Sequence, residues 1–177
     1  IAVIGQFKRG KTTMINSLLG SRLLPVGIVP ITSAVTRIEY AADKNGDPDK
    51  ASKAGDTARV YFQNGLSEEV AAETLHEYIS EQENRDNELK TPSDFLKDGL
   101  VLVDTPGVGS VHENNSKSAY DFVKESDGAI FMLSVDSPVN QIEVDFLKSV
   151  KKYAGKLYFA VNKIDTVDEE DLAAYID

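Results

Sequence analysis

The run from Gly5 to Gly20, GQFKRGKTTMINSLLG, restricts this chain more than any other. It follows the apolar stretch IAVI at residues 1–4, and residues 5–12 fit the spacing G-x-x-x-x-G-K-[ST]. Glycines there let the backbone bend so that successive N–H groups converge on an anion. The helix predicted over 11–19 carries Met14, Ile15, Leu18 and Leu19 on its apolar side and aims its positive end at the same point. Lys11 would reach the β- and γ-phosphates of a nucleotide, and the Thr12 hydroxyl would bind Mg²⁺. Gly5, Phe7, Lys8, Arg9, Gly10, Lys11, Thr12 and Thr13 are therefore candidate nucleotide-binding residues.

Composition narrows the class. The 177 residues suffice for one domain with a sizeable core. A net charge of −10 argues against a broad nucleic-acid footprint, and no nucleic-acid partner is expected. The absence of cysteine excludes disulfides and thiolate chemistry. No apolar run approaches the roughly 18 residues that span a bilayer. The chain opens inside a strand-like run and closes inside a helix-like one, so the reading is one domain over 1–177, incomplete at both ends.

Apolar β-type runs fall at 1–4, 35–40, 58–63, 100–104, 128–135 and 156–162. Those at 1–4, 100–103 and 129–133 are almost continuously apolar, as strands buried on both faces of a parallel sheet are. VTRIEY at 35–40 alternates, which suits a more exposed edge. Helical spacing falls at 11–19, at 67–83 (Val70, Leu75, Tyr78, Ile79), at about 116–126, at 141–153 and from Asp168 onward. Gln63–Gly65 suits a hairpin turn. Residues 41–56 and 79–95, polar and charged, read as exposed loops or insertions. The alternation predicts an α/β fold: a doubly wound, mostly parallel sheet with helices on both faces.

Two further motifs stand at strand ends. LVLVDTPG places Asp104 where a carboxylate can hold the Mg²⁺, and Gly107 where a backbone N–H can meet the γ-phosphate. VNKID places Asp165 to accept two hydrogen bonds from guanine, at an edge where adenine has no matching donors. Lys163 can lay its stem over the base, and Asn162 can brace the phosphate loop. His76 and His112 read as solvated residues, and DEED at 168–171 as a solvated helix start.

The order of these three motifs resembles a P-loop GTPase of the translation-factor-related class. The blocks GQFKRGKTTMINSLLG, LLPVGIVPITSAVT, DTPGVGS and VNKID resemble the GTPase domain of the bacterial dynamin-like proteins. The resemblance implies GTP as substrate and GDP as product, with Mg²⁺ as cofactor. It makes Thr32 the threonine that senses the γ-phosphate and completes the Mg²⁺ shell, with Thr36 and Ser33 as the neighbouring alternatives. It also implies a homodimer across the nucleotide face, membrane remodelling through regions outside this chain, and a cytoplasmic location peripheral to a membrane.

Two departures concern catalysis. Where many small GTPases carry a water-orienting Gln after the switch II glycine, this chain has Val108. Where animal dynamins have a P-loop Gln, it has Phe7. Slow hydrolysis is expected of the isolated domain. Lys8 and Arg9 read as exposed cations of the loop; with Lys11 and Thr32 they are the candidate catalytic residues, Lys8 matching the arginine finger position of the related guanylate-binding proteins. The alternatives are a regulatory GTPase switch for ribosome or RNA assembly, or a nucleotide-binding scaffold with little hydrolysis.

Overall fold

The computed structural model describes residues 1–26, 35–41, 56–62, 64–79, 84–108 and 113–176. Among them, eight strands form one sheet: β1 (Ala2–Gly5), β2 (Val35–Tyr40), β3 (Thr57–Phe62), β4 (Ser67–Ala71), β5 (Asn84–Thr91), β6 (Leu102–Asp104), β7 (Ala129–Ser134) and β8 (Leu157–Asn162). The spatial order is β4-β3-β5-β2-β6-β1-β7-β8. β6, β1, β7 and β8 run parallel, so the loops that follow them emerge at one edge of the sheet. β2 is antiparallel to β6 and parallel to β5, so both of these strands begin at that edge. β3 is antiparallel to β4 and β5. The sheet is thus mixed and largely parallel, an α/β architecture.

The α-helices among the described residues are α1 (Lys11–Leu19), α2 (Leu75–Ile79), α3 (Glu113–Glu125), α4 (Gln141–Val150) and α5 (Glu169–Ile176). They divide the core in two. Ile15, Leu19 and Leu75 pack with Val3, Ile38, Val60, Leu89 and Leu102 on one face. Ala119, Val123, Phe146 and Val150 pack with Ala2, Ile4, Val103 and Phe131 on the other. Strands that alternate between two apolar faces must be apolar at nearly every position. β1, with four consecutive buried residues, is such a strand.

Three sequence expectations are corrected. The helix expected over 67–83 is a strand at 67–71, a 3-10 turn at Ala72–Thr74 and a short helix at 75–79. Ser67–Ala71 pairs antiparallel with β3 through a turn that includes Gly65, and that pairing overrides the helical spacing of Val70 and Leu75. VTRIEY is no edge strand, since it lies between β5 and β6. Finally, residues 84–91 of the expected insertion are an inner strand.

Glu88 of β5 is flanked by cations in register. Glu88 lies opposite Arg37 on one side and Arg59 on the other, and Arg59 in turn pairs with Glu69 at 3.1 Å. Opposite charges in register stabilise a sheet by tenths of a kcal/mol to about 1 kcal/mol per pair. The same strand puts Leu89 in the core, opposite Ile38 and Ala58. Residues 42–55, the bulk of the other expected excursion, lie outside the described residues.

Candidate nucleotide site

The phosphate loop joins β1 to α1. α1 starts at Gly10, whose φ of 92° lies in the left-handed region, and no side chain caps its first turn. Its leading N–H groups therefore point toward the sheet edge without a side-chain acceptor, which is the arrangement that favours an anion. A Cβ on Gly10 would stand 2.0 Å from Asn162 Nδ2. Only glycine fits there, because Asn162 closes over the loop and donates to the Arg9 carbonyl at 3.0 Å. The loop after β6 also comes close: a Cβ on Gly107 would lie 2.7 Å from the Phe7 backbone. Val108 N–H donates to the Gly5 carbonyl at 3.1 Å, and Val108 itself is buried in the core.

Lys11 is buried, and its ammonium donates to the carbonyls of Gly5 and Gln6 at 3.1 and 3.0 Å. Burial lowers its pKa to about 8, an effect that Asp104 partly opposes. Asp104 ends β6 almost fully buried. Thr12 Oγ1 donates to its Oδ2 at 2.8 Å, while Oδ1 has no hydrogen-bond partner among the described residues. Burial raises its pKa to about 6, against the opposing influence of Lys11 and Thr12. A hydroxyl and a carboxylate this close, with one carboxylate oxygen unsatisfied, are hard oxygen donors of the kind Mg²⁺ takes. They fit that ion as a partial shell that phosphate and water oxygens would complete. Among the described residues no group of three or more His, Asp or Glu side chains could hold a metal alone.

The third motif follows β8. Lys163, at φ 60°, makes a 2.6 Å ion pair with Asp136, and Asp165 stands exposed in the 3-10 turn Ile164–Thr166. Gly5, Phe7, Gly10, Lys11, Thr12, Gly107, Asn162, Lys163 and Asp165 all come from segments that leave the sheet at the same edge. Thr13 is exposed on the first turn of α1. Lys8 is exposed at φ 65°, with its ammonium 5.6 Å from the Phe7 ring centroid. Thr32, Ser33 and His112 lie outside the described residues, and Thr36 sits within β2 opposite Asp104.

Arg9 corrects the expectation of an exposed cation. It is 2% exposed, and all three guanidinium nitrogens are engaged. Nε and Nη2 fork onto Glu143 at 2.9 and 2.6 Å, and Nη1 donates to Ser134 and to the Ser137 carbonyl. A side chain this well satisfied inside the protein has a partner that β-sheet propensity and loop composition do not reveal. Glu143, Ser134 and Asp136 were not among the sequence candidates. Only Glu143 had a local signal, the N-x-x-E spacing from Asn140, and that capping box is present at the start of α4.

Comparison with known proteins places the chain in a family. The family model of the dynamin family matches residues 1–165. An uncharacterised protein of Caldicellulosiruptor sp. is 37% identical over 97% of this chain and 42% of its own length. Dynamin-like protein 2 of Campylobacter jejuni is 31% identical over 97% of this chain and 27% of its own. A solved oligomerised bacterial dynamin pair, described as a mechanism for long-range sensing and tethering of membranes, superposes with a TM-score of 0.72 at 22% identity. It covers 99% of this chain and 27% of that one. The chain thus spans less than half the length of these relatives. With its family model matched over nearly the whole sequence, this chain belongs to the dynamin family.

Proposed function

We propose that this domain binds GTP with Mg²⁺ and hydrolyses it to GDP and phosphate. The observation that carries the reading is the convergence of Lys11, the Thr12–Asp104 pair and the Asn162–Asp165 segment at one sheet edge. Lys11 and the N–H groups opening α1 hold the phosphates, and Asp165 reads guanine. Thr12, Asp104 and Thr32 are the candidate metal ligands; Mg²⁺ bound there would neutralise charge between the β- and γ-phosphates. Val108 is buried in the core and presents no polar group to water. Turnover therefore depends on other groups, with Lys8, which is exposed, and Thr32, outside the described residues, as candidates from this chain. Arg9 contributes from behind the loop, because its donors are already engaged.

Dimerisation across the nucleotide face would supply such groups, and it would join this domain to the membrane remodelling that the family resemblance implies. No helix of the described residues is long and apolar enough to cross a membrane. A cytoplasmic protein that reaches the membrane through other segments fits the family reading.

Calorimetric titration with GTP, GDP and ATP tests the base assignment, and phosphate release tests turnover. GTP and GDP should bind and ATP should not. Asp165→Asn should shift preference toward the xanthine nucleotide, since donor and acceptor swap. Equal binding of ATP and GTP by the parent would remove the guanine assignment. Binding without phosphate release, at any protein concentration and with or without liposomes, would leave the scaffold reading.

A further inference from the structure

Arg9 lies one residue before the glycine that opens α1, and its side chain runs to Glu143 and the loop after β7. Its Nη1 donates to Ser134 Oγ at 3.0 Å, and Ser134 Oγ donates to Asp136 Oδ1 at 2.6 Å. Asp136 Oδ2 accepts from Lys163 Nζ at 2.6 Å. Asn162, the residue before Lys163, donates back to the Arg9 carbonyl at 3.0 Å. These contacts close a ring through the phosphate loop, the loop after β7 and the segment that would read the base.

A second arm leaves the same guanidinium. Its fork onto Glu143 is bidentate, with both partners almost fully buried. Glu143 Oε2 also accepts from the Asn140 N–H at 3.2 Å, and Asn140 Nδ2 donates to Gln6 Oε1 at 2.9 Å. The first turn of α4 is therefore tied to the phosphate loop at both Gln6 and Arg9. A planar fork fixes direction as well as distance, which an ammonium does not.

We propose that Arg9 is a positioning residue that couples phosphate binding to base discrimination, with Asp136 as the link that aims Lys163. The inference rests on the guanine-nucleotide reading above. With the ring intact, the phosphate loop and the 162–165 segment are held in one frame. With it broken, each moves separately, and the two hydrogen bonds expected between Asp165 and guanine lose their alignment. Discrimination between guanine and a base lacking one of those donors should then decline.

The test compares GDP with IDP, whose base lacks the 2-amino group, by competition against a fluorescent nucleotide in the intact protein. The variants are Arg9→Lys, Glu143→Gln and Asp136→Ala, each checked by thermal melting. Asp136 is 43% exposed, so its removal spares the core. The parent should prefer GDP by about tenfold, as one lost hydrogen bond implies. Arg9→Lys and Glu143→Gln should weaken GDP by about tenfold, and all three should shrink the GDP-to-IDP ratio by about threefold or more.

A purely structural role would lower the melting temperature and leave the ratio alone; that result overturns the proposal. Should Arg9→Lys and Glu143→Gln not fold, Asp136→Ala decides, and an unchanged ratio there overturns it as well. A parent that binds no GDP, or shows no preference over IDP, would instead defeat the guanine reading.

Discussion

Two buried polar clusters flank the phosphate loop, and they are built in opposite ways. Beneath the first turn of α4, Arg9 and Glu143 are saturated: every guanidinium nitrogen and both carboxylate oxygens have protein partners. Across the sheet, Asn87, Thr36 and Asp104 stand in register on β5, β2 and β6, each about 1% exposed. There Thr36 Oγ1, Asp104 Oδ1 and both polar atoms of Asn87 have no hydrogen-bond partner among the described residues. A satisfied buried network holds its shape without help, whereas unsatisfied buried groups destabilise by about 1–3 kcal/mol each. On the proposal above, the first cluster positions the site. The second, next to the Thr12–Asp104 pair, is where the fold carries a cost that a bound ligand can relieve.

The contrast is sharpest when each cluster is disturbed alone. Glu143→Ala leaves the Arg9 charge buried without its partner, so urea unfolding should show a loss of about 3–5 kcal/mol. Replacing both Arg9 and Glu143 by apolar residues of similar size should cost less than the two single changes added together. A loss below about 1 kcal/mol for Glu143→Ala would mean that the pair is no anchor.

Lys11→Ala acts on binding instead. Burial already disfavours the Lys11 ammonium in the folded state, so the nucleotide-free protein should keep its stability. Binding of GTP should weaken about hundredfold, as loss of a charge-assisted contact near 3 kcal/mol implies. Parent-like affinity in a calorimetric titration would defeat the phosphate-loop reading.

How much of this was legible in sequence follows from the range of the interactions. The phosphate loop, Asp-Thr-Pro-Gly and Asn-Lys-Ile-Asp are local spacings at the ends of apolar runs, and the strands bearing them occupy 2–5, 102–104 and 157–162 as those runs suggest. β5 was missed because its stability is lateral. In isolation NRDNELKT has one large apolar residue, Leu89, and the cations that flank its Glu88, Arg37 and Arg59, lie on other strands. The 67–83 region was misread because Val70, Leu75, Tyr78 and Ile79 satisfy a helical period while the residues up to Ala71 are claimed by β3. Arg9 was read as exposed because its partner lies 134 residues away.

Asp104→Asn moves the comparison to the unsatisfied cluster. The folded pKa of Asp104, about 6, lies above its model-peptide value of 3.8. Its neutral form thus favours the fold at low pH, and this contribution is lost as pH rises from about 4 through 6. Without Mg²⁺ or nucleotide, Asp104→Asn should be more stable than the parent at pH 7 by about 1–3 kcal/mol, with the gain vanishing near pH 4. The same change should remove most of the Mg²⁺ dependence of GTP binding. Equal stabilities at pH 7 would show that the carboxylate is better solvated than its burial suggests.

The smallest effect is the most discriminating. Thr36→Val keeps the β-branched shape in an inner strand and deletes a hydroxyl that has no partner among the described residues. Its neighbours in register, Asn87 and Asp104, keep their own polar atoms, so the change tests the row one atom at a time. Nucleotide-free protein should gain about 1 kcal/mol, a rise of about 2–4 °C in melting temperature for a chain of this size. If the row matters only to the empty fold, the same gain should persist with GTP and Mg²⁺ at saturation. If the bound state recruits the Thr36 hydroxyl, the gain should shrink or reverse there, because the variant then gives up a hydrogen bond that the parent makes. A lower melting temperature without ligand would show that Thr36 is satisfied after all, and the division into a saturated and an unsaturated cluster would have to be redrawn at β2.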